Sequence, residues 1–179
     1  GSAAGSSFYN AEMRGSKNSP YRGGTRVPAF WKWKGVLPEG VDVPQVTAHI
    51  DVLPTLCELA GVKVPEGVDQ KIEGRSLVPL LMNQNADWPD RPLVTHQGRW
   101  KRGEAAENAY KNCRIREGRW SLVNTKNKPD AWELYDIESD PSEEHDIAAE
   151  HQDVVYRLAT TYEKWRESGQ PDPVNEDVD

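Results

Sequence analysis

The stretch YKNCRIREGRWSLVNT, residues 110–125, has the alternation of apolar and polar side chains that is typical of a β-hairpin. Cys113 and Ile115 alternate with charged residues on the first arm, and a similar alternation follows on the second arm. The Glu-Gly pair at 117–118 lies between the arms and predicts the turn. This stretch therefore predicts two neighbouring antiparallel strands.

Further strands and a helix are predicted on either side of this hairpin. RPLVTH at 91–96 and AWELYDI at 131–137 are short segments typical of strands. Residues 148–167 carry apolar side chains at helical spacing, and Gly169 and Pro171 follow as stop signals. Several antiparallel strands followed by one amphipathic helix predict an α+β fold, in which a small antiparallel sheet packs against a long C-terminal helix.

The first half of the chain is predicted to be organised differently. VPAFWKW at 27–33 predicts a short strand because it is rich in aromatic residues. DVLPTLCELAG at 51–61 predicts a helix with Asp51 as its N-cap and a stripe of leucines at helical spacing. GRSLVPLL at 74–81 predicts a second, short apolar helix.

We expect three parts along the chain. The polar, proline-containing stretch NQNADWPDRP at 83–92 has the composition of a linker. It places the boundary between a first part, residues 1–90, and a second part, residues 91–170. The acidic residues 171–179 are expected to form a disordered tail.

The composition argues against several classes of protein. The net charge of −7 argues against nucleic-acid binding, because phosphate backbones favour a basic face. No stretch approaches the roughly 20 apolar residues that span a bilayer, so no membrane partner is predicted. The chain shows no signal peptide and its first methionine is Met13, so we expect it to be a piece of a longer protein.

In the segment MRGSKNSPYRGGTRVPAFWKW, residues 13–33, one lysine and three arginines lie around a Gly-Gly pair, ahead of the aromatic stretch VPAFWKW. Glycines allow a backbone to approach a neighbour closely, and cations on both sides indicate that the neighbour is an anion. The segment therefore predicts an anion-binding turn.

Four stretches together resemble the C-terminal portion of the arylsulfatase-type sulfatases, which belong to the alkaline-phosphatase-like superfamily. They are GSKNSPYRGGTRVP, HIDVLPTLCELAGV, IEGRSLVPLL and ELYDIESDPSEEHDIA, and their order and spacing agree with the family over roughly residues 13–165. The resemblance implies a C-terminal fragment of an alkaline-phosphatase-like α/β fold. Residues 1–90 would then end the catalytic domain, and 91–170 would form a C-terminal α+β subdomain. The implied reaction is hydrolysis of a sulfate monoester to an alcohol and inorganic sulfate.

The resemblance also implies roles for individual residues. Lys17 matches the family lysine that reaches the sulfate and the leaving-group oxygen, where an ammonium group stabilises developing negative charge. Arg22 replaces the glutamate that the family usually has, and Arg26 is expected to be structural. His96, at the end of a predicted strand, is expected to contact substrate, the alternative being an ordinary surface histidine. Arg99, in a short basic run, is expected to bind an anionic substrate, the alternative being a solvated loop.

Most of the family's catalytic machinery is expected to lie upstream of this chain. The family nucleophile is a formylglycine made from a C/S-x-P-x-R motif, and neither Cys57 nor Cys113 lies in such a motif. The Asp and Asn ligands of the family's calcium ion are also expected upstream, so this fragment is predicted to hold no metal and no cofactor.

The missing N-terminal catalytic half has further implications for the isolated chain. We expect the chain to be inactive alone and to expose a strand edge and apolar helix faces, and hence to self-associate. The resemblance implies that the full-length protein is secreted or periplasmic and acts on a sulfated small molecule or glycan.

Two other functions stay open at this point. A phosphonate or phosphate monoester hydrolase could use the same lysine, since the cation would serve a phosphoryl transition state equally well. An upstream C/S-x-P-x-R motif would favour sulfate, and a plain Thr or Ser site would favour phosphate. A non-catalytic module could instead bind a sulfated glycan through the basic loop at 99–102 without turnover.

Overall fold

The computed structural model describes Gly5 and residues 8–64, 72–98, 100–101 and 103–168. These residues form two compact units. One unit combines the segment up to Val27 with the chain from Arg91 onward, and the other is Pro28–Asp90. The predicted acidic tail at 171–179 lies outside the described residues.

The regular elements are short, except for the last helix. The helices are α1 Arg22–Thr25, α2 Val52–Leu59, α3 Val78–Met82 and α4 Gln152–Glu167, with a 3-10 turn at His49–Asp51. The strands are β1 Leu93–His96, β2 Cys113–Glu117, β3 Trp120–Asn124 and β4 Glu133–Asp136. None of the described helices has the length and apolar character needed to cross a membrane.

The first unit is built on one antiparallel sheet with strand order β1-β2-β3-β4. The predicted hairpin and both flanking strands are confirmed. The turn lies one residue later than predicted, because Glu117 still pairs with Trp120 and leaves Gly118 and Arg119 between the strands. Gly118 adopts a φ of +54°, which glycine tolerates without a steric penalty.

One face of the sheet packs against α4 and forms the main core. Leu158 and Tyr162 of α4 are fully buried. They pack with residues from the sheet and the β3–β4 connection, namely Cys113, Ile115, Leu122, Trp132 and Leu134. The predicted α+β fold, with a small antiparallel sheet against a long C-terminal helix, is therefore confirmed.

The opposite face of the sheet carries a second, smaller cluster made by Tyr21, Val123 and Tyr135. The sequence predicts residues 1–27 to belong with 28–90, whereas the compact units group residues up to Val27 with the chain from Arg91 onward. The reason is that Tyr21 and its neighbours pack on and bond to this sheet face, which residues 91–168 supply. The boundary between Asp90 and Arg91 is common to both divisions.

Residues 27–33 do not form the predicted strand and have an irregular backbone. A strand requires a partner, and the second unit has no other strand within its described residues. Pro28 also lacks the N–H group that a ladder would use. The two helices predicted at 51–61 and 74–81 are confirmed as α2 and α3.

A buried acid and a buried hydroxyl connect α2 to the segment before α3. The carboxylate of Asp51 accepts the N–H groups of Ala48 at 2.8 Å and Arg75 at 2.9 Å. The hydroxyl oxygen of Thr55 accepts the N–H of Leu77 at 2.8 Å. Asp51 occupies the predicted N-cap position of α2, but its side chain makes no capping hydrogen bond to that helix. Its carboxylate is occupied by the preceding 3-10 turn and by the distant segment.

The apolar stripe of α2 faces outward, as the prediction of exposed apolar helix faces requires. Leu53 is 49% exposed and Leu56 is 50% exposed, whereas Thr55 is fully buried. Phe30 of the same unit is 93% exposed. Whether these side chains drive self-association stays a prediction.

Candidate functional site

The segment that carries Lys17 folds into a compact loop, here called the lysine loop and defined as residues 14–26. The N–H of Ser19 donates to the carbonyl of Ser16 at 2.9 Å, which closes a tight turn around Lys17. Gly15 and Asn18 flank this turn with φ values of +81° and +71°. Both are residue types that adopt the left-handed conformation at low cost.

The Gly-Gly pair allows α1 to pack directly on the backbone of the same loop. A Cβ atom at Gly23 would lie 2.2 Å from the carbonyl oxygen of Gly15, and one at Gly24 would lie 2.1 Å from that of Ser19. Any side chain larger than hydrogen would therefore force the two layers of the loop apart. The close approach predicted from the glycines exists, but its partner is the loop's own backbone.

Lys17 lies at the outer turn of the lysine loop and is exposed. Its ammonium group has no ion-pair partner among the residues that the structure describes. The side chain of Lys17 is long, its backbone is held in place, and its charge faces solvent. It is therefore suited to contact an anionic ligand.

Two of the other cations of this segment bond within the unit. The guanidinium of Arg14 lies 3.9 Å from the centre of the Tyr21 ring and donates to the Tyr135 hydroxyl at 2.7 Å. The guanidinium of Arg22 donates to the carbonyl of Pro141 at 3.0 Å. Arg22, which departs from the family's usual glutamate, thus forms a structural contact of its own.

Arg26, expected to be structural, is exposed and lies at the end of α1. Its guanidinium lies 4.0 Å from the sulfur of Met13. Burial lowers the pKa of Arg22, and the positive charge of Arg26 lowers it further.

The buried carboxylate of Glu143 connects the lysine loop to the sheet. One oxygen accepts the backbone N–H of Arg22 at 2.6 Å. The other accepts the Ser121 hydroxyl at 2.8 Å and lies 3.5 Å from the guanidinium of Arg114. Glu143 and Arg114 are both buried, so the two charges compensate each other away from water.

Arg114 shows the electrostatic consequence of this burial. Burial lowers the pKa of Arg114 to about 10, and the opposite charge of Glu143 limits the decrease. Arg114 therefore stays protonated at neutral pH. It also donates to the Thr25 hydroxyl at 2.5 Å, which fixes the end of α1 to β2.

A pair of tyrosines makes a second connection between the loop and the sheet. The hydroxyls of Tyr21 and Tyr135 both donate to the same carboxylate oxygen of Glu133, at 2.5 Å and 2.8 Å. Burial and the adjacent carboxylate raise the pKa of Tyr21 to about 12 and also raise that of Tyr135. Both tyrosines are therefore neutral donors at physiological pH.

His96 lies on the other face of the sheet from the lysine loop. It pairs with Cys113 and shares the face that packs on α4. Its ring centre lies 4.9 Å from that of Trp100 and 6.4 Å from that of Tyr162. Burial lowers the pKa of His96, although the carbonyls of two nearby residues favour its protonated form. The sheet thus separates His96 from Lys17, and substrate binding by His96 stays a prediction.

The remaining predicted site elements are a basic run and the absence of a metal site. Arg99 and Arg102 lie outside the described residues, and Lys101 is exposed. Within the part of the chain that the structure describes, no group of three or more His, Cys, Asp or Glu side chains could hold a metal ion. That the ligands of the family's calcium ion lie upstream of this chain stays a prediction.

Sequence reasoning missed the two acidic residues that fix the lysine loop. Glu143 and Glu133 both lie in the stretch ELYDIESDPSEEHDIA, which served only to identify the family. The sequence signal that could have indicated Glu133 and Glu143 was that this stretch matches a family motif to which no function had been assigned. Nothing in the spacing indicated that these residues contact a segment more than a hundred positions upstream.

The described residues of the first unit form an α+β domain in which the lysine loop packs on one face of a four-stranded antiparallel sheet. The model of the family described as N-sulphoglucosamine sulphohydrolase, C-terminal, matches residues 16–168. The chain therefore belongs to this family. The resemblance to sulfatases inferred from the sequence is confirmed.

Curated relatives and solved structures agree with this assignment. The chain is 42% identical to the steryl-sulfatase of Rattus norvegicus over 73 residues, which are 41% of this chain and 12% of that protein. It is 26% identical to the N-acetylglucosamine-6-O-sulfatase of Bacteroides thetaiotaomicron over 152 residues, or 80% of this chain and 26% of that protein. The crystal structure of Ps i-CgsB matches with a TM-score of 0.71 and 27% identity, covering 86% of this chain and 31% of that one.

These matches also fix how much of a relative the chain represents. It spans about a tenth to a quarter of the length of the curated relatives that it matches. The chain thus corresponds to the C-terminal part of a sulfatase, and its relatives are sulfuric ester hydrolases.

Proposed function

We propose that the protein to which this chain belongs hydrolyses sulfate monoesters to an alcohol and inorganic sulfate, and that Lys17 contacts the transferred sulfate group. The observation that carries the proposal is the position of Lys17. It is exposed on a loop whose backbone is held by hydrogen bonds within the loop and to Glu143, while Arg14 and Arg22 bond within the unit.

The chemistry of the reaction explains why a fixed lysine would be useful. Cleavage of a sulfate ester places negative charge on the oxygen that leaves with the alcohol. An ammonium group held near this oxygen stabilises that charge more in the transition state than in the ground state. Fixing the loop beforehand means that no reorganisation is required during the reaction.

The nucleophile and the metal belong to the rest of the protein in this proposal. The resemblance implies a formylglycine and a calcium ion, and the motif and ligands for both are expected upstream of this chain. We therefore assign the 179-residue chain the lysine and part of the wall of the pocket, and we expect the chain to be inactive alone.

The substrate class and the location are proposed from the relatives. Those relatives are named steryl-sulfatase and N-acetylglucosamine-6-O-sulfatase, which supports a sulfated small molecule or glycan as substrate. An extracellular sulfatase homologue of Drosophila melanogaster is also among them, which supports secretion or a periplasmic location. Contacts of His96 and Arg99 with this substrate stay predictions.

The test is hydrolysis of 4-nitrophenyl sulfate and 4-nitrophenyl phosphate by the full-length protein. Lys17→Ala is expected to lower kcat/KM for the sulfate by about 100- to 1000-fold, as removal of one transition-state contact typically does. Lys164→Ala is the matched control, because Lys164 is exposed on α4, against the other face of the sheet. It should leave the rate unchanged.

The other outcomes identify the alternatives. Hydrolysis of the phosphate in preference to the sulfate would favour a phosphate monoester hydrolase. Binding of a sulfated glycan without turnover would favour a non-catalytic module. Turnover by the 179-residue chain alone would contradict the placement of the nucleophile in the rest of the protein. An unchanged rate in Lys17→Ala would contradict the assignment of Lys17.

A further inference from the structure

We propose that Glu143 is a positioning residue for Lys17, which holds the lysine loop in its reactive place through the backbone of Arg22. This inference rests on the proposed function, since it assigns Glu143 a role in the same site. Glu143 does not itself reach toward the anion, because its side chain is fully buried.

The first step of the argument is a continuous chain of short contacts. Glu143 accepts the N–H of Arg22 at 2.6 Å, which fixes the first residue of α1. The next residue, Gly23, donates its N–H to the carbonyl of Arg14 at 2.7 Å and packs against Gly15. Gly15 lies two residues before Lys17, so a shift of α1 is transmitted directly to the lysine turn.

The second step is that Glu143 itself is held firmly. Its carboxylate accepts the hydroxyl of Ser121 on β3, and Arg114 on β2 compensates its charge. Its backbone has a φ of +55°, a value that non-glycine residues rarely adopt. A strained conformation in a buried residue persists only where surrounding contacts over-determine it.

The third step is that the site requires a carboxylate. Each of its oxygens faces donors: the Arg22 N–H on one side, and the Ser121 hydroxyl with Arg114 on the other. A glutamine of the same shape carries no charge and has one acceptor oxygen, so it either turns its NH2 group toward the Arg22 N–H or turns it toward Ser121 and leaves the guanidinium of Arg114 without a counter-charge. Glu143→Gln therefore keeps the volume but breaks one of the two connections.

The experiment must separate positioning from stability alone, and the leaving group provides this separation. A lysine that stabilises charge on the leaving oxygen matters more for a poor leaving group than for a good one. We would measure kcat/KM of the full-length protein for 4-nitrophenyl sulfate and for phenyl sulfate. Loss or displacement of Lys17 raises the ratio of the first rate to the second, whereas loss of folded protein lowers both rates equally.

The expected results follow from this ratio. Lys17→Ala raises it by about tenfold or more. Glu143→Gln raises it in the same direction, and adding Glu143→Gln to Lys17→Ala raises it no further, because both changes remove one contact. Glu144→Gln is the matched control, since Glu144 is the exposed neighbour with the same charge. It should leave both rates and the ratio unchanged.

The outcomes distinguish the two proposals. If Lys17→Ala raises the ratio and Glu143→Gln does not, the positioning role of Glu143 is overturned while the role of Lys17 stands. If the wild type does not cleave either sulfate, or Lys17→Ala leaves the ratio unchanged, both proposals fall. If Glu143→Gln does not fold, Ser121→Ala replaces it. This variant removes one donor to Glu143 and should raise the ratio by a smaller factor; an unchanged ratio would again overturn the positioning role.

Discussion

The packing of Gly23 against Gly15 gives the sharpest prediction about the lysine loop. In Gly23→Ala, the new Cβ atom would lie 2.2 Å from the Gly15 carbonyl oxygen and 2.7 Å from that of Arg14. Both neighbours are backbone atoms, which cannot rotate away as a flexible side chain can. Alanine is otherwise the better helix former by about 1 kcal/mol, so any loss must come from this clash.

The size of the effect follows from the distance. Ordinary contact of a Cβ atom begins at 3.4 Å, so the two layers of the loop must separate by about 1.2 Å. A misplacement of about 1 Å in a catalytic contact costs on the order of 100-fold in rate. That factor corresponds to about 2.7 kcal/mol of transition-state stabilisation. Overpacking of this kind also lowers the free energy of unfolding by about 1–3 kcal/mol.

The assay is again cleavage of 4-nitrophenyl sulfate and phenyl sulfate by the full-length protein, together with its thermal unfolding. Gly40→Ala is the control, because a Cβ atom there meets nothing within 4 Å. Because Gly40 has a φ of +67°, alanine there is strained by about 1 kcal/mol. The variant therefore loses stability in the other unit without a clash in the lysine loop. We expect Gly40→Ala to unfold at a lower temperature and to keep its rate.

One result would refute the reasoning about the loop. If Gly23→Ala folds and its rates for both sulfates stay within twofold of the wild type, a shift of α1 does not reach Lys17. The close packing of the Gly-Gly pair would then matter for folding alone, and the proposed transmission from α1 to the lysine turn would be wrong.

Two further predictions concern the stability of the chain itself. Thr55→Val should lower the free energy of unfolding of Pro28–Asp90 by about 1–3 kcal/mol, because it leaves the buried N–H of Leu77 without its acceptor. Hydrogen exchange at the Leu77 amide should be faster in Thr55→Val, whereas the control Thr55→Ser should keep its protection. Equal exchange in both variants would contradict the prediction. His96 should titrate below 6.5 in the folded chain and near 6.5 in the chain unfolded in urea, by NMR of its ring protons. Because the unfolded state then binds more protons, the contribution of His96 to stability should be complete above pH 6.5 and be lost as the pH falls through the pKa of the folded state. A pKa of His96 at or above 6.5 in the folded chain would refute this prediction.

The sheet and α4 could be predicted from the sequence because their signals are local. Alternation in residues 110–125 and helical spacing in 148–167 depend only on which face of an element is buried. The failed strand at 27–33 shows the limit of such signals. Aromatic enrichment describes what a strand prefers, but a strand also needs a partner, and the described residues of that unit contain none.

The role of Lys17 could be proposed from the sequence only through a motif, and the support for that lysine could not be predicted at all. Arg14, Arg22 and Lys17 look alike as cations around a glycine pair. Which of them bonds inward depends on Tyr135 and Pro141, which lie more than a hundred residues further along the chain. Charge patterning therefore overestimated the number of cations available to an anion.

The four stretches that carry the resemblance to sulfatases meet in pairs in the structure, which explains why they occur together. The first, with Arg22, bonds to the fourth through Glu143. The second, with Asp51, bonds to the third through the N–H of Arg75. In each pair a buried carboxylate accepts a backbone N–H from a distant segment, a bond that requires an acid at one position and only a backbone N–H at the other. Lys17 lies inside the first stretch and has no ion pair among the described residues. Its charge is therefore not explained by these structural contacts, and this difference is the strongest structural reason to look for its partner in the substrate.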